Sequence, residues 1–392
     1  MKNCISNLYS WLGVVCLVVV LVPDQLKADQ HMNVAGEGRV RWENRNQADF
    51  NTAADDRVNE IGSRFRLGFD FTAEKAKVFI QPSFSKTWGS GTASSGGTVA
   101  ANLDLYQAYI QYAMTDMVDI TVGREALNYG DGIVIGNFDW SPTARAFDDL
   151  RFRIKYGPGW TDVFYAKIGD TFTAAANYRD LFGVYNSWGF GDAFKNVDLY
   201  VLLDTSGSNQ QHTNVGGRLK SDMNDMDYRV ESTVQLQKNA DTEFLVDGEF
   251  GYTVVPAQKT RLGVGYFYGS KAYAATYTDV HKWMGAADIF GRTNLNGFRA
   301  NIGSSLTDTI SASLEWHMFS RTDSAVSAGY GIADTDKAVA NEFDLAINCH
   351  PTSAFNTTFG ASFVMPGTHV KNTVTPNDAT MTFFYIQMGL KV

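Results

Sequence analysis

The sequence predicts an all-β fold, a transmembrane antiparallel up-and-down β-barrel of 18 strands, with 16 as the alternative count. Three observations predict it. Apolar and polar residues alternate over segments long enough to cross a bilayer, the links between segments are alternately short and long, and an export-type leader opens the chain with no spanning apolar run after it.

Residues 1–28 read as a secretory signal peptide: Lys2 precedes the apolar run 14–22, and polar Asp24, Gln25 and Lys27 lead to a small residue, Ala28. The apolar core has nine residues, far short of the roughly 20 of a spanning helix. A lipoprotein signal ending at Cys16 is excluded by bulky Val15 before the cysteine and the apolar residues after it. Residues 29–392 are then the barrel. Cys4 and Cys16 leave with the leader, so Cys349 stands alone and no internal disulfide staples this exported chain. Loss of Lys2, Lys27 and Asp24 moves the net charge from −9 to −10, and an acidic total argues against a nucleic-acid partner.

About 364 residues would ordinarily make two or three soluble domains. The composition, 36 Gly, 18 Tyr and 26 Phe beside 8 Pro, instead suits tightly turned, aromatic-rich strands. The alternation is clear at 61–71, where Ile61, Ser63, Phe65, Leu67, Phe69 and Phe71 share one face and Gly62, Arg64, Arg66, Gly68 and Asp70 the other. It recurs in Leu150, Phe152, Ile154 and Tyr156 against Arg151, Arg153 and Lys155, and in Ile310, Ala312, Leu314, Trp316 and Met318 against Ser311, Ser313, Glu315 and His317. The segments fall near 33–44, 60–72, 76–88, 102–114, 117–125, 147–157, 160–168, 181–190, 194–204, 213–221, 226–236, 243–254, 259–269, 295–305, 309–319, 341–349, 354–364 and 380–391. Short turns follow the even-numbered segments. Most links after odd-numbered ones are long: 45–59, 89–101, 126–146, 270–294, 320–340 and 365–379. Bacterial barrels show this asymmetry between their periplasmic and extracellular rims. A soluble β-sandwich is the alternative, but this many strands exceed what an open sheet carries before it curls or splits. Pro158, Pro256, Pro351 and Pro366 sit in or beside turns, while Pro82 within the third segment predicts a bulge. The glycine-rich stretch 89–97 is either an exposed loop or one folded inward.

A barrel of this size leaves an aqueous lumen, so the polar faces become its lining and their charges set selectivity. The first, second and sixth segments supply Glu37, Arg39, Arg41 and Glu43, then Arg64 and Arg66, then Arg151, Arg153 and Lys155; Arg124 ends the fifth. The tenth and eleventh add Arg218, Lys220, Arg229 and Glu231. Acids oppose them: Asp247 and Glu249 on the twelfth segment, Glu342 and Asp344 on the sixteenth. Either these charges pair across neighbouring strands and only keep the wall wet, or they form a basic selectivity region with a transverse field across the pore.

The densest motif lies at the long-loop rim, with Gly130, Asp131, Gly132, Asn137, Trp140, Arg145 and Asp148. Its glycines permit backbone angles that other residues avoid, and its polar side chains can knit a loop. No lysine and helix follow to make a phosphate cradle, and no Asp/Asn ladder ends in Glu as calcium would need.

The run Gly123-Arg124-Glu125-Ala126-Leu127-Asn128-Tyr129-Gly130-Asp131-Gly132, with Ile135-Gly136, Trp140-Ser141 and Arg145-Ala146-Phe147-Asp148, resembles the alginate export family of outer-membrane proteins. Arg39-Val40-Arg41-Trp42-Glu43, Arg64-Phe65-Arg66-Leu67-Gly68 and Gln107-Ala108-Tyr109 fit it too; the resemblance covers mainly residues 33–165. It implies an 18-stranded barrel with an arginine-rich electropositive constriction. Ile133 departs from it, standing where the family pattern carries an arginine.

The expected function is an outer-membrane channel for hydrophilic, anionic solutes, needing no cofactor or metal and meeting lipid outside. Export of an anionic polysaccharide such as alginate is the alternative. An enzyme would need a nucleophile and base, yet the six histidines are scattered and neither His-Glu-x-x-His nor Gly-x-Ser-x-Gly occurs. A purely structural barrel is the remaining rival.

Overall fold

The computed structural model describes residues 30–53, 55–89, 102–169, 179–191, 194–206, 211–325, 335–373 and 378–392. The expected leader, residues 1–28, lies outside the described residues, as does nearly all of the 89–97 stretch. Among the described residues there are eighteen strands: β1 (Gln30–Asn46), β2 (Val58–Ala73), β3 (Ala76–Thr87), β4 (Asn102–Ala113), β5 (Val118–Glu125), β6 (Phe147–Tyr156), β7 (Gly159–Gly169), β8 (Arg179–Trp188), β9 (Asn196–Ser206), β10 (His212–Met223), β11 (Met226–Gln237), β12 (Glu243–Val255), β13 (Thr260–Gly269), β14 (Leu295–Ser305), β15 (Ile310–Arg321), β16 (Ala338–Cys349), β17 (Phe355–Pro366) and β18 (Met381–Lys391). The count is 18, not 16, and no strand end lies more than three residues from its expected place.

Each strand pairs antiparallel with its chain neighbours, and β1 closes on β18 from Glu37↔Lys391 to Asn46↔Thr382. Closure leaves no row of bare N–H and C=O groups, the condition for a sheet in lipid. The sides are inverted relative to a soluble protein. On β2, Phe65 and Leu67 are about half exposed, while Arg64 and Arg66 between and beside them are buried in the barrel. The outward face is the greasy one because lipid is its solvent.

Strict alternation fails where the bulge was expected. Pro82 pairs with Leu105 and Gln81 with Gln107, so Tyr106 is the extra residue on β4 and turns inward over Arg66. Short links close one rim, as where Asn224 takes a left-handed φ of 53° between β10 and β11. At that rim the N–H of Gly36 also meets the carbonyl of Val392, 2.7 Å away. At the other rim, two long links turn into the lumen: residues 126–146 between β5 and β6, and 270–294 between β13 and β14.

Those links have cores of their own. Leu127, Tyr129 and Ile135 pack on inward residues of β7, β8 and β9, including Phe164, Leu181, Tyr185, Tyr200 and Leu202. Met284, Ala287 and Phe290 pack on Phe267, Phe319, Val364 and Phe383 with Val370 of α1, a short helix at Thr368–Thr373. Ile133, the departure from the family pattern, is buried with Leu245 and Tyr273.

The face assignment predicts opposite responses at neighbouring positions. Leu314→Arg, on the outward face, should cost about 2–4 kcal/mol in urea unfolding from lipid vesicles. Ser313→Arg should cost far less, and an equal loss at both would mean that the faces are misassigned.

Candidate functional site

The lumen is crossed by a brace, the 126–146 loop, tied at two opposite walls. At β10, the Asp131 carboxylate accepts from Arg218 Nε at 2.7 Å and from Lys220 Nζ at 3.0 Å. At β1 and β2, the carbonyls of Asp139, Trp140 and Ser141 accept from Arg39 at 2.7–3.0 Å, and Arg64 Nη1 donates to Asp139 O at 2.9 Å. The Asp139 carboxylate is held by Arg64 and Arg66 at 3.0 and 2.8 Å. Strands β1 and β10 stand nine places apart in a ring of eighteen, so they face each other. Residues 131–139 reach at most about 26–29 Å when extended, and the arginine arms from both walls make up the rest.

Glycine is required at one end. Gly130 has φ +57°, and a Cβ there would lie 2.9 Å from the Arg218 side chain that grips Asp131. Burial would raise the Asp131 carboxyl, but the hydrogen bonds and charges of Arg218 and Lys220 outweigh it and hold its pKa down at about 2. Asp139 is likewise held below its ordinary value against burial by Arg64 and Arg66.

The 270–294 loop locks onto the first. Gly136 N donates to Tyr277 O at 2.8 Å, Asp279 N to Gly132 O at 2.8 Å, and Trp283 Nε1 to Asp131 O at 2.9 Å. Arg145 joins both loops, donating to the carbonyls of Gly136 and Tyr277 at 2.8 and 2.5 Å, while the Asn137 carbonyl accepts from Arg145 N. The Trp140 ring carries the Arg41 guanidinium at 3.6 Å and stacks on His281 at 3.7 Å. Arg292 Nη1 reaches Asp247 on β12 at 2.6 Å, and Ala286 N and Ala287 N donate to Asp344 and Glu342 on β16.

The expected lining residues are thus inward with one exception, and most are paired. Arg151 forks onto Glu125 at 2.6 and 2.8 Å, and Arg153 onto Asp162 at 2.7 Å through both nitrogens. Lys155 pairs with Asp119. The acids expected to form a negative wall on β12 do not: Arg229, Arg292 and Arg299 surround Asp247, and Arg261 and Arg299 bond Glu249. On β16 and β15, by contrast, Glu342, Asp344 and Glu315 gather around His317, whose Nε2 lies 3.1 Å from Glu315.

The exception is Arg124, which is not in the pore. On β5, Asp119, Thr121 and Glu125 point inward, so alternation turns Arg124 outward, opposite Asp148 on β6. Asp148, expected in the loop motif, belongs to that outward face. Arg124 Nη1 bonds both its oxygens, at 2.9 and 3.0 Å.

Sequence reasoning missed the second loop and its Tyr277, His281, Trp283 and Arg292. A signal was available. Where an inner core forms, alternation lapses and both faces are apolar, as in Leu199-Tyr200-Val201-Leu202-Leu203, Tyr266-Phe267-Tyr268 and Phe383-Phe384-Tyr385-Ile386.

Comparison with known proteins supplies the remaining findings. The alginate export family model matches residues 30–384. Solved barrels share the fold: OpdK of Pseudomonas aeruginosa, crystallised with vanillate, superposes with a TM-score of 0.68 at 10% identity over 92% of this chain and 98% of that one. OccAB4 of Acinetobacter baumannii gives 0.65 at 11%, over 95% and 100%, and OpdO of P. aeruginosa 0.66 at 11%, over 92% and 97%. No curated protein matches by sequence.

The brace makes two predictions. Arg39→Ser with Arg64→Ser removes charged hydrogen bonds of about 1.5–3 kcal/mol each and should raise single-channel conductance and open-channel noise; unchanged traces would mean that the loop is held without them. Because the Asp131 pKa is depressed, its contribution is complete above the ordinary value of about 3.9 and is lost only as pH falls through about 2. Conductance should therefore show no step assignable to Asp131 between neutral pH and about pH 4, and an Asp131→Asn variant should lose the β10 anchor at every pH.

Proposed function

Because this chain belongs to the alginate export family, a family of Gram-negative outer-membrane β-barrels, we propose that it is a porin-like channel admitting small hydrophilic solutes, anionic ones preferentially, past a braced constriction. What supports the charge preference is which member of each inward ion pair is exposed. On β6 and β10, wherever one member is exposed it is the cation: Arg153 is 34% exposed over buried Asp162, Lys155 48% over Asp119, and Lys220 45% over Asp131, while Arg151 and Arg218 are covered with their carboxylates. A passing solute meets the ammonium and guanidinium groups, with the carboxylates behind them.

On β1 and β2 the order reverses. Arg64 and Arg66 are covered, and Asp139, 47% exposed, is the group presented to the lumen. The transverse field expected from the sequence is retained in this reading with one side changed in sign: β6 and β10 stay positive, while the β1–β2 side, expected to be basic, presents Asp139, with Glu315 beyond. Such a field orders a solute that carries a carboxylate at one end and hydroxyl groups at the other. Small hydroxylated or aromatic carboxylates fit it. Passage of an anionic polysaccharide is the second reading, favoured by the family match over nearly the whole barrel.

Planar-bilayer recording under a salt gradient tests the proposal. Anion preference is expected, and Lys155→Ser with Lys220→Ser should shift the reversal potential toward cation preference with little loss of stability. Arg151→Ser, which strands Glu125 in a buried site, should instead destabilise the barrel by about 3–5 kcal/mol and shift selectivity less. A non-conducting barrel would overturn the channel reading, and cation preference in the parent protein the anionic one. Liposome swelling with galacturonate against an oligo-uronate separates small-solute uptake from polymer passage.

A further inference from the structure

Glu342 and Asp344 stand two residues apart on the inward face of β16, and the 270–294 loop sits on them. Ala287 N donates to Glu342 Oε1 at 2.9 Å and Ala286 N to Asp344 Oδ2 at 3.2 Å. Gly285 takes a left-handed φ of 89° and lies against the Glu342 carboxyl, where a Cβ would collide with both oxygens. Met284 and Ala287, wholly buried, seal the contact, and Glu342 itself has no exposed surface. The loop backbone is thus fitted to a pair of carboxyl groups largely shut away from lumen water.

That seat is short of donors. The two carboxyl groups lie within hydrogen-bond reach of each other, yet Glu342 Oε2 and Asp344 Oδ1 accept no hydrogen bond from the described residues. Ser362 on β17 can turn its hydroxyl to Asp344, which still leaves Glu342 Oε2 unserved. Ionised carboxylates only accept, so a proton is what turns their contact into a bond. The surrounding charges do not take its place. On β15, His317 Nε2 lies 3.1 Å from Glu315 and 3.7 Å from Asp344. Within the loop, Asp288 brings a further negative charge near Glu342 and is bonded to His281. Arg41 on β1 and Tyr385 on β18 face Asp288, but Arg41 bonds Glu43. Arg299 on β14 and Arg229 on β11 face Glu315 and are held by Asp247. The short helix α1, packed on β16 and β17, carries His369 and Lys371.

We propose that Glu342 and Asp344 are a proton-operated latch for the 270–294 loop: one shared proton seats the loop, and its loss releases the loop and widens the pore. Proton loss strengthens one amide bond. Against that, it sets two negative charges side by side in a buried site that Asp288 already makes negative, which is the costlier change. Lifting the loop lets lumen water reach both carboxylates. Loss of a proton from His317 acts in the same direction, because it removes positive charge beside Asp344. Rising pH therefore opens the latch and falling pH closes it. The latch deepens the channel reading and rests on it, since the loop it holds is one wall of the constriction.

The test uses the full barrel. Single-channel recording from about pH 5 to about pH 9, the range that a shared carboxyl proton and a histidine cover, should show conductance and open-channel noise stepping up as pH rises. Glu342→Gln keeps an acceptor for Ala287 N and offers Asp344 an N–H, so it should stay at the low level throughout. If that variant does not fold, Asp344→Asn carries the same comparison. Amide exchange of residues 284–289, compared between parent and variant at equal pH so that intrinsic rates cancel, reads the loop without a current. The parent should exchange faster by about tenfold for each pH unit above the step, the slope set by loss of one proton. The wall holds one other such contact, Asp149 with Glu125, in which neither Asp149 oxygen has a donor among the described residues; Asp149→Asn should keep the step. A step that survives Glu342→Gln, or that vanishes with Asp149→Asn, overturns the latch. A conducting barrel with a flat pH curve and equal exchange overturns the latch alone. A barrel that passes no current overturns the channel reading, and exchange still decides the latch.

Discussion

The lumen is organised by guanidinium groups reaching one loop from opposite walls. A closed barrel satisfies its backbone within the wall, so the inward side chains are the ones left to find partners. Arginine suits the task because it offers five donors in a rigid plane and does not deprotonate. Arg39 and Arg64 use that plane to gather the carbonyls of Asp139, Trp140 and Ser141, and Arg218 catches the Asp131 carboxylate from the far side. Pull either end away and the second loop loses its seat, since Gly132, Gly136 and Asp131 are where Asp279, Tyr277 and Trp283 attach. The constriction is therefore a consequence of arginine placement on β1, β2 and β10 rather than of loop length.

The same partnering changes what the basic stripe means. Counting charges on a strand gives the sign of the wall only if each is equally visible, and here visibility is decided by which partner lies deeper. Asp162 and Asp131 are buried beneath longer cationic chains, whereas Arg64 and Arg66 are buried beneath a loop that brings its own carboxylate, Asp139. Side-chain length governs the first case and loop docking the second. Both are packing effects, and neither alters the formal charge.

Much of the architecture was legible because a barrel in lipid obeys a period of two along most of each strand. The outward residues of β2, β6 and β15 had to be apolar, and the alternation of short and long links set the rims, so strand number and ends followed closely. Pro82 announced its bulge for the same reason: it cannot donate to the ladder. The site was legible only in part. Gly130, Asp131, Trp140 and Arg145 stand out in the sequence, and they do meet in the brace. Their partners are some ninety to two hundred and fifty residues away in the chain, as with Arg218 for Asp131 and Tyr385 for Trp140, and spacing carries no trace of such contacts. Arg124 misled because the period alone decides its side. Read one residue out of step, a loop-base clamp on the outer wall looks like a pore charge.

That clamp links the two solvents of the barrel. Arg124 and Asp148 are the residues just before and just after the 126–146 loop's flanking positions, Glu125 and Phe147, which point inward to Arg151 and to the inner core. The outward pair thus holds the mouth of the brace from the membrane side while Glu125 holds it from the lumen side. A cross-strand charge pair in water contributes little, on the order of 0.2–1 kcal/mol. At the edge of the apolar band it is less screened. The two strand ends at the mouth of the brace are therefore held from both sides of the wall, by Arg124 and Asp148 outside and by Arg151 and Glu125 inside.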